Sequence, residues 1–324
     1  METGNFVISL DFELLWGVRD KVGIAQYGEH IKGVHKVIPR LLENFNEYHV
    51  KATFAIVGFL FFETKSELLN NLPDRLPCYI DKSLSPYTGH FDIVGDNFET
   101  DLYHFAPRQI RLIQKYPEHE IGSHTFSHYY CLEKGQTIED FKSDILNAQR
   151  VAGKFGIKLT SLVFPRNQYN DEYLSVCKEM GLTCCRGNEI SWIYKALNAE
   201  SESLFRRAIR LIDAYINISG HNCYAIDSLK SKYTINIPSS RFLRPYTIKL
   251  KALEKLRLNR IKSGMTYAAK NNRTYHLWWH PHNFGINQDE NFAFLEKILL
   301  HYKILNREYG FQSRTMSELA KQIL

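Results

Sequence analysis

The residues best suited to chemistry lie in Ser123-His124-Thr125-Phe126-Ser127-His128. Two histidines four apart share one face of a helical turn, about 5–6 Å apart at Cβ. Two such imidazoles can hold one divalent metal, given an oxygen ligand from elsewhere and an open position for chemistry. With 13 histidines in 324 residues, some pairs fall four apart by chance. The pair gains weight only from the rest of the chain. An oxygen ligand is available at the start, in Ile8-Ser9-Leu10-Asp11-Phe12-Glu13. Residues two apart in an extended segment point to the same side, roughly 6.5–7 Å apart. One carboxylate can then bind the ion while the other takes a proton from an activated water. A leaving nitrogen or oxygen needs a proton donor, and His280, delivered by the apolar run Thr274 to Trp279, suits that role. Arg166 can orient the base carboxylate or hold a substrate anion. Together these groups make a metal-dependent hydrolase of amides or esters.

The elements that must position these groups alternate. Short apolar runs at 6–10, 51–57, 120–122, 160–164, 182–185 and 274–279 read as buried strands. Between them lie helical patterns: His30 to Tyr48 with a kink or late start at Pro39, Pro107 to Tyr116, a capped helix from Thr137, and Asn170 to Met180. Phe205 to Ile218, Leu250 to Ala269, Asn291 to Tyr309 and Ser317 to Leu324 follow. Residues 222–248 show no clear period. Residues 62–105 read as a long excursion with short helices, an insertion that could serve as a lid or substrate loop. Strand and helix alternate about seven times, which predicts a parallel sheet with covering helices. Asp11, His124, Arg166, Arg186 and His280 all follow strand ends, the face where α/β barrels collect catalytic groups.

Composition fits a soluble protein of one large domain spanning 1–324: 44% hydrophobic, 23% charged, 19 Tyr, 20 Phe and 4 Trp. The net charge of +6 is spread along the chain, apart from a looser basic region from Arg241 to Lys262. It suits anionic ligands such as nucleotide diphosphates or acidic glycans. No dense basic stripe or known module argues for nucleic acid. No window is long and apolar enough for a transmembrane helix, and the N-terminus lacks a basic, apolar leader. The six cysteines form no Cys-x-x-Cys pair, so reduced thiols and a cytoplasmic location are expected. Trp16, Trp192, Trp278 and Trp279 could stack on a sugar face. Trp16, just past the first motif, has the best claim, and at least one of Trp278 and Trp279 belongs to the core.

The order of these motifs resembles the polysaccharide deacetylase family, the NodB-homology group that includes chitin and peptidoglycan deacetylases. Ser9-Leu10-Asp11-Phe12-Glu13 looks like a variant first motif, with base Asp11 and ligand Glu13. His124-Thr125-Phe126-Ser127-His128 matches the second, Phe164-Pro165-Arg166-Asn167-Gln168-Tyr169 the third, and Leu277-Trp278-Trp279-His280 the last. The first motif departs from the usual Asp-Asp pair, and the third lacks the usual proline pair. An aromatic motif is found at best in Arg186 to Trp192. The resemblance, over residues 6 to about 285, implies an α/β fold, a distorted (β/α) barrel of about seven parallel strands with outer helices. It implies hydrolytic removal of an N-acetyl group from a sugar: a sugar nucleotide, a lipid-linked sugar or an oligosaccharide used in surface-polysaccharide or glycan synthesis. The expected set is Asp11, His280 and Arg166 as catalytic groups, Trp16, Tyr169 and His282 against substrate, and Glu13, His124 and His128 on one divalent ion, zinc favoured. Another amide, such as a formyl group or a small non-sugar C–N bond, is the alternative. An inactive carbohydrate-binding domain fits less well, since binding alone needs no acid and base pair.

Overall fold

A computed structural model describes residues 3–195 and 203–324. Its elements run β1 (Asn5–Phe12), α1 (Ile24–Tyr48), β2 (Thr53–Ile56), α2 (Lys65–Leu69), α3 (Pro107–Ile113), β3 (Glu120–Ser123), α4 (Ile138–Lys154), β4 (Ser161–Val163), α5 (Asp171–Glu179) and β5 (Cys184–Arg186). Then come α6 (Leu204–Asp213), β6 (Ile235–Asn236), β7 (Arg241–Phe242), α7 (Glu254–Lys270), β8 (Thr274–Trp279), α8 (Gln288–Tyr309), β9 (Gln312–Arg314) and α9 (Met316–Ile323).

Among the described residues every strand pairing is parallel, in the order β6-β5-β4-β3-β2-β1-β8-β7, with β9 beside the first half of β1. β6 and β7 belong to one continuous segment that joins the two ends of the sheet. Ile237 and Ser239 donate their amides to the carbonyls of Cys185 and Gly187 on one side, at 2.8 and 2.9 Å. Ser240 and Leu243 donate to His276 and Trp278 on the other, both at 2.8 Å. The sheet therefore curls into the expected distorted (β/α) barrel.

β1 is buried along its whole length, as a strand covered on both faces must be. Phe6, Ile8, Leu10 and Phe12 enter the core beneath the helices. Val7 points the other way, into a second core with Ala55, Val163, Cys184 and Ile237, so its alternation partners Ser9 and Asp11 line the barrel interior. α9 adds Met316, Leu319 and Ala320 to that inner core and bonds Thr53 and Glu120 at the starts of β2 and β3. It seals the N-terminal end, and the polar residues occupy the other.

The structure departs from the sequence reading in four places. α1 begins at Ile24 and carries Pro39 inside it. Proline removes one helical hydrogen bond, but the buried stripe Ile31, Val34, Ile38, Leu41, Leu42 and Phe45 holds the helix through it. α7 starts at Glu254 rather than Leu250. β6 and β7, two residues each, lie in the stretch without a period. β9 is a half-buried polar tripeptide. No helix of the described residues is long and apolar enough to cross a membrane.

Candidate active site and metal centre

Parallel register brings the motifs together. Phe12 pairs with Ile56, and Ile56 with Ser123, so Glu13 and His124 both step off the rim just beyond those pairs. Leu10 pairs with Trp279, which puts Asp11 and His280 side by side. Glu13 Oε2 lies 3.1 Å from the Nε2 atoms of both His124 and His128. The three ligand atoms fall within 4.8 Å of one another and all three residues are buried.

The far side of each imidazole fixes which nitrogen faces inward. His124 Nδ1 lies 2.8 Å from the carbonyl of Val163, which can only accept, so Nδ1 carries the proton. His128 Nδ1 meets the Tyr130 hydroxyl at 3.2 Å, and that hydroxyl donates onward to Asp20 at 3.3 Å. Burial also lowers the His128 pKa to about 4, so the ring is neutral near pH 7. Both Nε2 atoms thus turn lone pairs toward a carboxylate oxygen. This arrangement lacks a proton where the three groups meet, and a divalent cation fits it. Burial pushes the Glu13 carboxyl up, but the imidazoles around it, His280 first and then His124 and His128, hold it well below its usual range.

The loop that carries the histidines is not the helical turn that the i, i+4 spacing suggests. Thr125 and His128 have φ of 62 and 59°. Leu14, Arg166 and Asn167, in the neighbouring rim loops, are also left-handed, at 48, 54 and 51°. Non-glycine residues in that region cost of order 1–3 kcal/mol each and persist only where surroundings enforce them. Here Asp144 of α4 is the enforcer. Its carboxylate accepts from the Phe126 and Ser127 amides, at 2.6 and 3.1 Å, and from the Ser127 hydroxyl. Gly58 lets the loop approach: a Cβ there would sit 2.4 Å from the Phe126 ring. Gly17 does the same for Glu13, since its Cβ would fall 1.9 Å from the Glu13 carboxyl carbon.

Asp11 is clamped by Arg186, not by Arg166. Arg186 donates Nη1 to Oδ1 at 2.6 Å and Nη2 to Oδ2 at 2.7 Å, a fork on both carboxylate oxygens. Ser9 accepts from the same Nη1 and meets His276 Nε2 at 2.8 Å, which ties the clamp to the barrel wall. Burial alone would raise the Asp11 carboxyl, but the Arg186 guanidinium bonded to it brings it below its usual value. Arg166 turns away to Asp20 and Glu133, with its guanidinium 4.0 Å above the Tyr130 ring. Its link is to the Tyr130–Asp20 pair behind His128.

His280 Nε2 is 3.7 Å from both Asp11 Oδ2 and Glu13 Oε1, and its Nδ1 lies 3.3 Å from the Asn283 amide oxygen. About a quarter of its side chain is exposed, so it can reach solvent or substrate. His282 stacks beneath His280, centroids 4.8 Å apart, and is buried with Nδ1 3.8 Å from Glu13. Burial lowers its pKa to about 3. It backs the site rather than facing substrate.

Trp16 does not face a substrate either. It is 0% exposed, donates Nε1 to the His104 carbonyl at 2.8 Å and packs on Phe59. It is the floor on which the 62–105 excursion folds, with His90, Phe91 and His104 around it. Tyr169 stacks on Phe164 and accepts from Asn236 at 3.0 Å, on the rim beyond Arg186. Trp279 is core, while the ring of Trp278 lies 4.0 Å under the Arg186 guanidinium and 5.5 Å from His280.

Sequence reasoning missed the roles of Arg186 and Asp144. Each left a signal: an arginine two residues after inward-facing Cys184, and a charged residue amid the apolar stripe Phe141, Ile145 and Ala148.

The polysaccharide deacetylase family model matches residues 31–185. That span holds His124, His128 and Arg166, whereas Asp11, Glu13, Arg186 and His280 join the site through the fold. No curated protein matches the chain. Among solved structures, a Mycobacterium smegmatis protein assigned to the polysaccharide deacetylases aligns over 99% of this chain and 90% of its own, at 14% identity and a TM-score of 0.62. A Pseudomonas aeruginosa PAO1 protein assigned likewise aligns over 98% and 89%, at 10% identity and 0.58. An allantoinase, Puue, shares the fold over 98% and 89%, at 10% identity and 0.55. Residues 31–185 are thus similar to the polysaccharide deacetylase family, and the whole chain shares the fold of these solved structures.

Proposed function

We propose that the chain is a metal-dependent sugar N-deacetylase. The observation that carries this reading is the convergence, at one rim, of three metal-type donors with a clamped carboxylate and a partly exposed histidine. Glu13, His124 and His128 would hold one divalent ion, zinc favoured by the donor types. When bound, the ion supplies Lewis acidity toward the acetyl carbonyl and toward water. Asp11 takes the proton of the attacking water. Arg186 aims both of its oxygens and keeps the carboxyl ionised. His280 gives a proton to the departing amine, with Nδ1 fixed on Asn283 and Nε2 turned inward. Asp144 and the Tyr130–Asp20–Arg166 chain keep the histidine loop in its strained shape and orientation.

Acetate release from N-acetylated sugars, measured alongside metal content, tests the reading. Acetate that appears with metal and vanishes in Asp11→Asn supports it. Release of formate, or hydrolysis of a small non-sugar amide by the same site, would move it to the alternative hydrolase. Metal binding with no hydrolysis of any amide would leave a binding domain.

A further inference from the structure

Beside the catalytic groups lies a cavity of about 260 Å³ whose wall is rich in guanidinium. Trp278 and Phe242, which line it, have ring centroids 5.5 and 5.9 Å from that of His280. Asn167, also on the wall, accepts from Arg186 at 3.1 Å. The cavity is therefore an extension of the site. Arg210 reaches it from α6, Arg241 from β7, and Arg244 from just after β7, with Arg166 and Lys195 at its edge. Glu189 is the one carboxylate in this wall among the described residues, and burial raises its pKa.

Among the described residues, Arg241 and Arg244 have donors to spare. Arg241 and Arg260 share the single carboxylate of Asp213, at 2.5 and 3.5 Å. The Arg241 Nη2 and Nε atoms are buried without a hydrogen-bond partner among the described residues. The half-buried Arg244 side chain makes no hydrogen bond or ion pair among the described residues, and the positive charges of Arg210 and Arg257 act against its own. Burying cations without partners is costly. Arginine forks match the geometry of a phosphate, whose charge near −2 exceeds that of one carboxylate.

We propose that this cavity is a phosphate subsite, so that the substrate is a sugar carrying a phosphate or diphosphate rather than a neutral glycan. The assignment rests on the deacetylase reading of the adjoining rim. A nucleotide or a lipid could supply the phosphate. The lipid is worth a separate arm, because α6 turns Leu204, Phe205 and Ile212 outward while its polar face carries Arg210 into the cavity.

The test uses the full chain with metal, as wild type, Arg244→Gln and Arg244→Lys. One readout is the rise in Tm caused by pyrophosphate. The other is kcat/KM for acetate release from UDP-N-acetylglucosamine, from a polyprenyl-phosphate-linked N-acetyl sugar in vesicles, and from chitobiose. Pyrophosphate should raise Tm in wild type and much less in Arg244→Gln. The ratio of kcat/KM for the phosphorylated over the neutral substrate should fall roughly tenfold or more, the usual worth of a charge-assisted contact. Arg244→Lys should recover part of that loss. Whichever phosphorylated substrate turns over names the source. An equal pyrophosphate response in wild type and Arg244→Gln, as binding to the metal alone would give, overturns the subsite. So does equal loss of kcat/KM on neutral and phosphorylated sugars. Acetate from chitobiose with no pyrophosphate response sinks the subsite and leaves the deacetylase standing. Pyrophosphate binding that needs Arg244, with no acetate from any substrate, keeps the subsite and sinks the deacetylase.

Discussion

The two sides of the barrel rim are built differently. Where β1, β2, β3 and β8 end, the strands are four to eight residues long and deliver Asp11, Glu13, His124 and His280 at fixed register. Where β5, β6 and β7 end, they are two or three residues long, and loops and α6 form an open, cationic wall. Long buried strands hold a group by many hydrogen bonds and much packing. Short strands leave placement to individual side-chain contacts. Chemistry needs the first kind of support, and recognition of a variable substrate tolerates the second.

The largest expected effect lies on the dense side. The double variant His124→Ala, His128→Ala should lose its ion on dialysis and all activity. Metal analysis of the dialysed protein checks this, and full occupancy would exclude the cluster as a metal site.

Next comes the division of labour between the carboxylates. Asp11→Asn should keep metal occupancy near wild type while turnover falls about 10²–10⁴-fold, the usual worth of a general base. Glu13→Gln should lose metal and regain part of its activity when metal is added. The opposite pattern would exchange the two roles.

The two arginines sharpen the comparison further. Arg186→Gln leaves buried Asp11 without its partner and should destabilise by about 3–5 kcal/mol in denaturant unfolding. Arg166 is partly exposed, so Arg166→Gln should cost less. Equal losses would mean that Arg166 is as much a part of the dense side as Arg186.

Asp144→Asn should have the smallest effect of these. It places an amide opposite two backbone N–H groups that now share a carboxylate. Metal affinity should fall about 10–100-fold, as for other groups that orient metal ligands. Titration of the metal-free chain with zinc measures it, and unchanged affinity would mean that the loop keeps its shape without Asp144.

Much of this was legible in the chain itself. Apolar runs of strand length alternating with amphipathic stretches determine a parallel sheet with covering helices, because both faces of each strand must be covered, and the barrel was implied by the family resemblance. Chemistry-bearing residues at strand ends then point to one rim as the candidate site, and Asp11, Glu13, His124, His128 and His280 are named there from residue type and placement. Only the tertiary structure decided which arginine meets Asp11. Arg166 and Arg186 both follow strands, and nothing local distinguishes them. Their directions are set by contacts 146 and 175 residues away in sequence. Trp16 likewise looks exposed next to a motif, yet the distant 62–105 excursion folds over it and buries it. The histidine pair has helical spacing but sits in a left-handed loop, because a buried carboxylate from α4 provides the hydrogen bonds that a helix would otherwise have supplied.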